Sequence, residues 1–98
     1  FEVYTSPGLT RADAMAERHW QNVKDILGDR INYRPDTRDG DNDREAGFYV
    51  LQKTLMPAML IEHLFFDNAE DARLLIQDEY IEYFAEAQVR TIIQQMAL

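Results

Sequence analysis

A short apolar run in the middle of the chain constrains the fold more than any other feature. Residues 58–66 read AMLIEHLFF and are almost wholly apolar, with Glu62 and His63 set among them. A run of this length, between a proline and an Asp-Asn pair, predicts a β-strand buried on both faces. Because burial removes the hydration of a carboxylate, Glu62 needs a special environment. Two environments remain open. Glu62 lies either at the carboxyl end of the strand, where open α/β sheets bind ligands, or beside a cation inside the protein.

Two elements and a long loop are predicted ahead of this strand. Residues 1–5, FEVYT, alternate apolar and polar side chains and predict a short strand. Residues 10–27 predict an amphipathic helix with Thr10 as its N-cap, Asp13 in the capping-box position and Gly28 just past its end. Residues 34–45 contain no apolar residue and predict a polar, solvated loop, whereas residues 47–54 fit either a strand or a turn of helix.

Two helices are predicted after the central run. Asn68 is placed to cap the first, which begins at Ala69, and Asp78 to cap the second. The buried stripe of the second helix is predicted to be Ile81, Ala85, Val89, Ile92, Ile93 and Met96, flanked by Tyr80 and Phe84. Since a strand–helix–strand unit implies a crossover between parallel strands, the predicted fold class is α/β. The architecture is a partial three-layer α/β/α domain with a mostly parallel sheet and two C-terminal helices.

Composition narrows the classes of partner. The 98 residues allow one small domain, and the formal net charge of −8 disfavours nucleic acids and anionic membrane surfaces. The absence of cysteine excludes disulfides and thiolate metal sites, and no stretch is apolar enough to predict a membrane span.

The polar loop is rich in carboxylates, which suggests calcium at first sight. An EF-hand register that starts at Asp39, however, puts Arg44 where glycine is required and Val50 where the bidentate glutamate belongs. The sequence therefore favours a solvated loop over a calcium site.

Two segments carry a family resemblance. Residues 50–75, VLQKTLMPAMLIEHLFFDNAEDARLL, resemble the C-terminal signature of the zinc-dependent N-acetylmuramoyl-L-alanine amidases, which cleave peptidoglycan. In that family a strand ends in a glutamate, followed by a Phe-containing turn, an asparagine and an acidic, Leu-rich helix. The opening FEVYTSPG resembles the family strand that follows the last zinc ligand. The resemblance implies that residues 1–98 are the C-terminal portion of an amidase-like catalytic domain, without the N-terminal part that holds the zinc ligands.

The resemblance also implies a role for one side chain. The family's catalytic glutamate maps onto Glu62, which would move a proton between a zinc-activated water and the departing amine. The family's zinc ligands, His, Glu and His, all precede the segment that matches Phe1, so no metal ligand is expected in this chain and the chain alone is expected to be inactive. Because neighbouring strand residues point to opposite faces, His63 is expected to be a packed histidine, as is His19. The family often has Gly-Phe two residues after the glutamate, where this chain has Leu64-Phe65.

The resemblance implies peptidoglycan as the partner and the bacterial envelope, the periplasm, the exterior or a phage lysis enzyme as the setting. A homo-oligomer formed through an exposed sheet edge is a further expectation, because an unpaired apolar edge invites another strand. The rival hypothesis is a non-catalytic, acidic α/β interaction module, in which Glu62 forms a structural ion pair.

Overall fold

The order of elements alternates strands and helices along the chain. The computed structural model describes residues 1–8, 10–38 and 40–97. Its strands and helices are β1 (Glu2–Thr5), α1 (Arg11–Leu27), β2 (Arg44–Glu45), α2 (Tyr49–Lys53), β3 (Leu60–Glu62), α3 (Ala69–Leu75) and α4 (Asp78–Met96), with a 3-10 turn at Gly28–Arg30. The fold is therefore a mixed α/β arrangement with a small three-stranded sheet.

Helix α1 begins and ends where the sequence predicts. The backbone N–H of Thr10 donates to the carboxylate of Asp13 at 3.2 Å, which is the reciprocal half of a capping box. Gly28 closes the helix with φ +53°, a backbone conformation that costs a side-chain-bearing residue free energy. Both local predictions are confirmed, because short-range hydrogen bonding decides helix ends.

The sheet is mixed, and this corrects the predicted pairing. The strand order is β2-β1-β3, with β1 parallel to β2 and antiparallel to β3. The parallel strand–helix–strand unit exists, but its second strand is β2 and not the apolar run around Glu62. Strand β2 was missed because its two residues, Arg44 and Glu45, lie in a segment without apolar side chains. The predicted mostly parallel sheet is not confirmed, since the two pairings have opposite senses.

Strand β3 is shorter and more exposed than predicted. It spans three residues at the edge of the sheet, where Leu60 and Ile61 are half-buried and Glu62 is exposed. A strand is buried on both faces only where packed layers cover both sides of the sheet, and β3 is instead an edge strand paired only with β1 among the described residues. The apolar residue of this run that is fully buried is Leu64, beyond the strand, whereas Met59 and Ile61 pack against the core while partly exposed.

The core lies between β1 and the two long helices. Phe1 and Val3 point toward it and pack with Trp20 and Val23 of α1 and with Phe84 of α4. Helices α1 and α4 pack on this one face of β1. The predicted three-layer arrangement is therefore not confirmed. Residues 49–53 form helix α2, which settles the alternative left open for that segment in favour of a helical turn.

The polar loop is not fully solvated. Asp43 is only 2% exposed, and its carboxylate lies 2.6 Å from the hydroxyl of Thr5 in β1. The same hydroxyl lies 3.0 Å from the carboxylate of Asp13 in α1. The loop end is thus fixed where β1 and α1 meet, which corrects the prediction for this part of the loop.

Helix α4 buries the face opposite to the predicted stripe. Its buried residues are Phe84, Ala87 and Thr91. The predicted stripe is exposed instead: Ile81, Ala85, Val89, Ile92, Ile93 and Met96. At 100° per residue the two sets lie roughly 140° apart around the helix. The helix therefore has two apolar faces, and periodicity alone does not choose between them.

A buried hydroxyl decides which face of α4 packs on α1. The side chain of Thr91 donates to the backbone carbonyl of Ala87 at 2.9 Å. Its oxygen then accepts from the side-chain amide of Asn22 at 2.9 Å and lies 2.8 Å from Nδ1 of His19. Because the single hydroxyl proton is used on Ala87, Nδ1 of His19 must carry the hydrogen.

His19 is a packed histidine, as predicted. It is fully buried, and within the described residues its Nε2 atom has no hydrogen-bond partner. Burial, together with the charge of the nearby His63, lowers the pKa of His19 from 6.5 to about 4. Protonation would place a charge and an unpaired N–H in the core, so the neutral ring is the stable form.

The stability of the chain should therefore depend on pH through His19. The unfolded chain takes up this proton below about pH 6.5 and the folded chain only near pH 4, so acid favours unfolding across that window. We expect the free energy of unfolding, measured by urea denaturation, to fall by about 2 kcal/mol between pH 7 and pH 5. Burial also lowers the pKa of His63, so the comparison is best made in a His63→Gln background. There, adding His19→Gln should remove most of the drop, and an unchanged drop would contradict the assignment.

Candidate functional site

Glu62 is the last residue of β3, and its side chain is exposed. In the antiparallel pair, Glu2 of β1 lies directly opposite Glu62. Side chains of directly opposed residues share one face of a sheet, with Cβ atoms about 5 Å apart. The sequence-predicted catalytic residue thus stands beside a second carboxylate, on the face of the sheet turned away from Val3 and the core.

Glu2 is buried and is held by cations. It is 3% exposed, its carboxylate forms an ion pair with Nε of Arg44 at 2.9 Å, and it accepts from the guanidinium of Arg34 at 3.4 Å. The hydroxyl of Tyr4 donates to the same carboxylate at 2.9 Å. Burial, together with this hydrogen bond to an anion, raises the pKa of Tyr4 above its ordinary value. The carboxylate of Glu2 therefore has both cations and a hydroxyl donor as partners, which a buried carboxylate requires.

Arg34 joins the start of β1 to the turn that follows β3. Its backbone N–H donates to the carbonyl of Phe1 at 2.9 Å, and its guanidinium lies 5.5 Å from the centre of the Phe65 ring. A guanidinium over an aromatic face is attracted by the ring's negative electrostatic potential. A cavity of about 360 Å³ opens at this point, lined by Phe1, Asn32, Arg34, Phe65, Asp67, Asn68 and Asp71.

The turn after β3 is fixed by two hydrogen bonds that both involve Asp71. The side-chain oxygen of Asn68 accepts from the backbone N–H of Asp71 at 3.0 Å, which confirms the predicted cap of α3. The carboxylate of Asp71 accepts in turn from the backbone N–H of Phe65 at 3.1 Å. The chain that leaves Glu62 is therefore held in one path toward the helix.

His63 points away from Glu62, as the strand alternation predicts. Its ring stacks on Phe84 at 4.4 Å, and Nε2 lies 3.1 Å from the side-chain nitrogen of Gln88. Burial lowers its pKa below 6.5. His63 thus packs under α4 and takes no part in the exposed surface around Glu62.

The described residues do not offer a zinc site. Across residues 1–8, 10–38 and 40–97, no three His, Cys, Asp or Glu side chains converge as metal ligands. One ring nitrogen of His19 is engaged by Thr91 and one of His63 by Gln88, and both rings lie in or against the core. The EF-hand register considered for calcium starts at Asp39, which lies outside the described residues. The metal implied by the resemblance therefore has no donor set to act through in this part of the chain.

Sequence reasoning missed the cations at this site. Glu2 alternates with Val3 in FEVYT, so the strand pattern alone predicts that Glu2 lies on the face of the sheet opposite to Val3. The ion pair between Glu2 and Arg44 could not be predicted, because that contact depends on β2, a strand of two residues in a polar loop.

Comparison of the sequence with known proteins identifies a family. The family model described as N-acetylmuramoyl-L-alanine amidase matches residues 1–94. The chain belongs to the N-acetylmuramoyl-L-alanine amidase family. It is 34% identical over 85 residues to the N-acetylmuramoyl-L-alanine amidase CwlM of Bacillus licheniformis, an alignment that covers 87% of this chain and 30% of that protein. It is 38% identical over 72 residues to the endolysin of Bacillus phage SPP1, covering 70% of this chain and 26% of that protein.

This amidase-family chain spans less than a third of the length of these curated relatives. No solved structure matches it. Among the helices of the described residues, none combines the length and apolarity that crossing a bilayer requires.

The cap of α3 gives a test of how the turn after Glu62 is held. Asn68→Ala removes the acceptor for the backbone N–H of Asp71, and we expect it to lower the free energy of unfolding by about 1 kcal/mol. Asn68→Asp keeps an acceptor oxygen at the N-terminus of the helix and should cost far less. Chemical denaturation of both variants measures the difference, and equal stabilities would show that the side chain does not cap the helix.

Proposed function

We propose that this chain contributes the catalytic glutamate of a peptidoglycan hydrolase that cleaves the amide bond between N-acetylmuramic acid and L-alanine. The observation that carries the proposal is the placement of Glu62. It ends an edge strand with its carboxylate exposed, in a chain whose family match runs through residues 1–94. An exposed carboxylate at a strand end is accessible to a substrate, whereas a purely structural glutamate in this sheet would be paired as Glu2 is.

In this reaction Glu62 acts as a general base and then as a general acid. Its carboxylate takes a proton from the attacking water as the oxygen approaches the amide carbon. The same carboxyl group then delivers that proton to the departing nitrogen, so that the amine leaves as a neutral group. The fixed turn that begins at Phe65 and is capped by Asn68 limits movement of the strand end during both transfers.

The 98-residue chain by itself is expected to be inactive, because its described residues do not supply a metal-ligand set. Zinc, which the family resemblance implies, is proposed to be held by other residues in a protein of the relatives' length. The names of the relatives, a cell-wall amidase and a phage endolysin, support an extracellular, envelope or phage-lysis setting.

Loss of the Glu62 carboxylate should slow hydrolysis strongly. In a zinc-loaded protein of the relatives' length that carries this chain, we expect Glu62→Gln to lower the rate of muropeptide release by about 10²- to 10⁴-fold. Glu82→Gln, which changes an exposed glutamate of α4, is the matched control and should leave the rate unchanged. A chelator should also stop release by the unaltered protein.

Release that persists in the folded Glu62→Gln protein would reject the catalytic role. A folded, zinc-loaded protein that releases nothing would instead favour the non-catalytic interaction module.

We also propose that the isolated chain self-associates through the free edge of β3. Strand β1 is paired on both sides, so β3 offers the longer of the two edge strands. Sedimentation equilibrium should give a mass above 11.5 kDa that rises with concentration. Ile92→Lys changes the exposed face of α4 and should leave the mass unaltered. A monomer would contradict association, and dissociation by Ile92→Lys would assign the contact to α4.

A further inference from the structure

We propose that Thr5, Asp13 and Asp43 bind a calcium ion, which fixes the end of the polar loop against β1 and α1. The three side chains come from separate parts of the chain. Thr5 is the last residue of β1, Asp13 lies in the first turn of α1, and Asp43 directly precedes β2. The site is separate from Glu62, which lies opposite Glu2 at the other end of β1, and from the zinc that the family resemblance implies.

Two carboxylates are buried here with no ion-pair partner among the described residues. Asp13 is 6% exposed and Asp43 is 2% exposed, and Thr5 between them is fully buried. None of the ion pairs formed within the described part of the chain includes Asp13 or Asp43. Two like charges that are removed from water and placed together destabilise a fold unless a cation offsets them.

The hydroxyl group of Thr5 has fewer hydrogens than neighbours. Its Oγ1 atom lies 2.6 Å from Oδ2 of Asp43 and 3.0 Å from Oδ1 of Asp13. Because a hydroxyl has one hydrogen, the shorter contact to Asp43 uses it, and the contact to Asp13 has none. Oxygen ligands held about 2.4 Å from one calcium ion lie roughly 3 Å from each other. The spacing between Thr5 and Asp13 is therefore that of two ligands of one cation.

The second carboxylate oxygen of Asp43 independently points to a ligand. Oδ1 of this residue is buried, and it accepts no hydrogen bond from the described residues. Asp43 lines a cavity of about 230 Å³ together with Asp36, Arg38 and Glu45. The guanidinium of Arg38 is bound to Asp36, with Nε 2.8 Å from Oδ1, so this cation serves a different carboxylate. Oδ1 of Asp43 is thus placed to bind a cation beside a space large enough for water.

The capping box of α1 leaves one oxygen of Asp13 for the cation. Oδ2 of Asp13 accepts from the backbone N–H of Thr10 at 3.2 Å. Oδ1 faces Thr5, and the hydroxyl of Thr10 lies 3.3 Å from it, which is a long contact. Since a carboxylate oxygen has two lone pairs, Oδ1 accepts from Thr10 and binds a cation at the same time.

The donor set suits calcium rather than zinc. All three donors are oxygen atoms, which calcium prefers, whereas zinc binds mostly nitrogen and sulfur. The hydroxyl of Thr5 offers a lone pair to the cation while its hydrogen goes to Asp43, and waters complete the coordination. No third His, Cys, Asp or Glu side chain joins the two carboxylates within the described residues. Binding should therefore be weak, with a Kd of about 10⁻⁴ to 10⁻³ M.

Calcium should raise the Tm of the 98-residue chain. At about 10 mM calcium chloride we expect a rise of about 5 to 10 °C over a chelator-treated sample, because the ion binds the folded chain. Thermal unfolding is followed by circular dichroism. The reference is sodium chloride at the same ionic strength, since salt alone screens the net charge of −8. A rise no greater than that in sodium chloride would overturn the proposal.

Two variants separate coordination from general screening. Asp43→Asn keeps the size of the side chain and removes one carboxylate, so it should lose the calcium-dependent rise. Asp67→Asn changes an exposed carboxylate after β3 and should keep the full rise. If Asp43 were purely structural, its variant would lower Tm equally with and without calcium. The calcium-dependent rise would then persist in Asp43→Asn, and that result would reject the site.

A measurement on the unaltered chain keeps the test decisive if Asp43→Asn does not fold. In nitrogen-15 NMR, the backbone N–H signals of Thr5, Asp13 and Asp43 should shift with calcium along one saturating curve. The signal of Asp67 should not follow that curve. Shifts at the three residues that do not saturate, or that are no larger than the shift at Asp67, would contradict a bound ion.

Self-association of the chain is separable from calcium binding. The strand order β2-β1-β3 places the site on the β2 side of β1, away from the free edge of β3. Sedimentation equilibrium in the same buffers should give the same mass with and without calcium. A mass that calcium increases, together with a rise in Tm that grows with protein concentration, would assign the effect to association and overturn the proposal.

Discussion

The packing of the chain depends on one hydroxyl group, that of Thr91, which joins the two long helices. Its proton goes to a backbone carbonyl within α4, and its oxygen receives two donors from α1, His19 and Asn22. Buried donors that lose their acceptor cost free energy, so the helices dock in the one rotation that satisfies all three groups. Apolar side chains alone would not select this rotation, because α4 carries a second apolar face that the described residues leave exposed.

This dependence explains which parts of the fold could be predicted from the sequence. The bounds of α1, the cap of α3 and the orientation of His63 follow from local hydrogen bonding and strand alternation, and the structure confirms them. The buried face of α4 follows from a contact between residues that are 72 positions apart, which no local pattern contains. Hydrophobic periodicity favoured the wider stripe around Val89, whereas Ala87 and Thr91 were chosen by the fit against α1.

The candidate site likewise has one part that could be predicted from the sequence and one part that could not. Glu62 was identified from a family resemblance, and its exposure at the end of a strand agrees with one of the two environments that a carboxylate in an apolar run demands. Its neighbours came only from the register of the sheet. A shift of one residue between β1 and β3 would put Val3 opposite Glu62 and place Glu2 elsewhere, so the charges around the candidate base depend on strand pairing.

The long separation between partner segments also has a consequence for how the chain is made. During synthesis β1 and α1 leave the ribosome before α4, and the apolar side of α1, with Trp20 and Val23, lacks the cover of α4 until that helix follows. Contacts that close such long loops form late and slowly. The nascent chain must therefore hold an exposed amphipathic helix until α4 is made, and a message cut short before Thr91 would yield a product whose exposed apolar surface is recognised by chaperones and proteases.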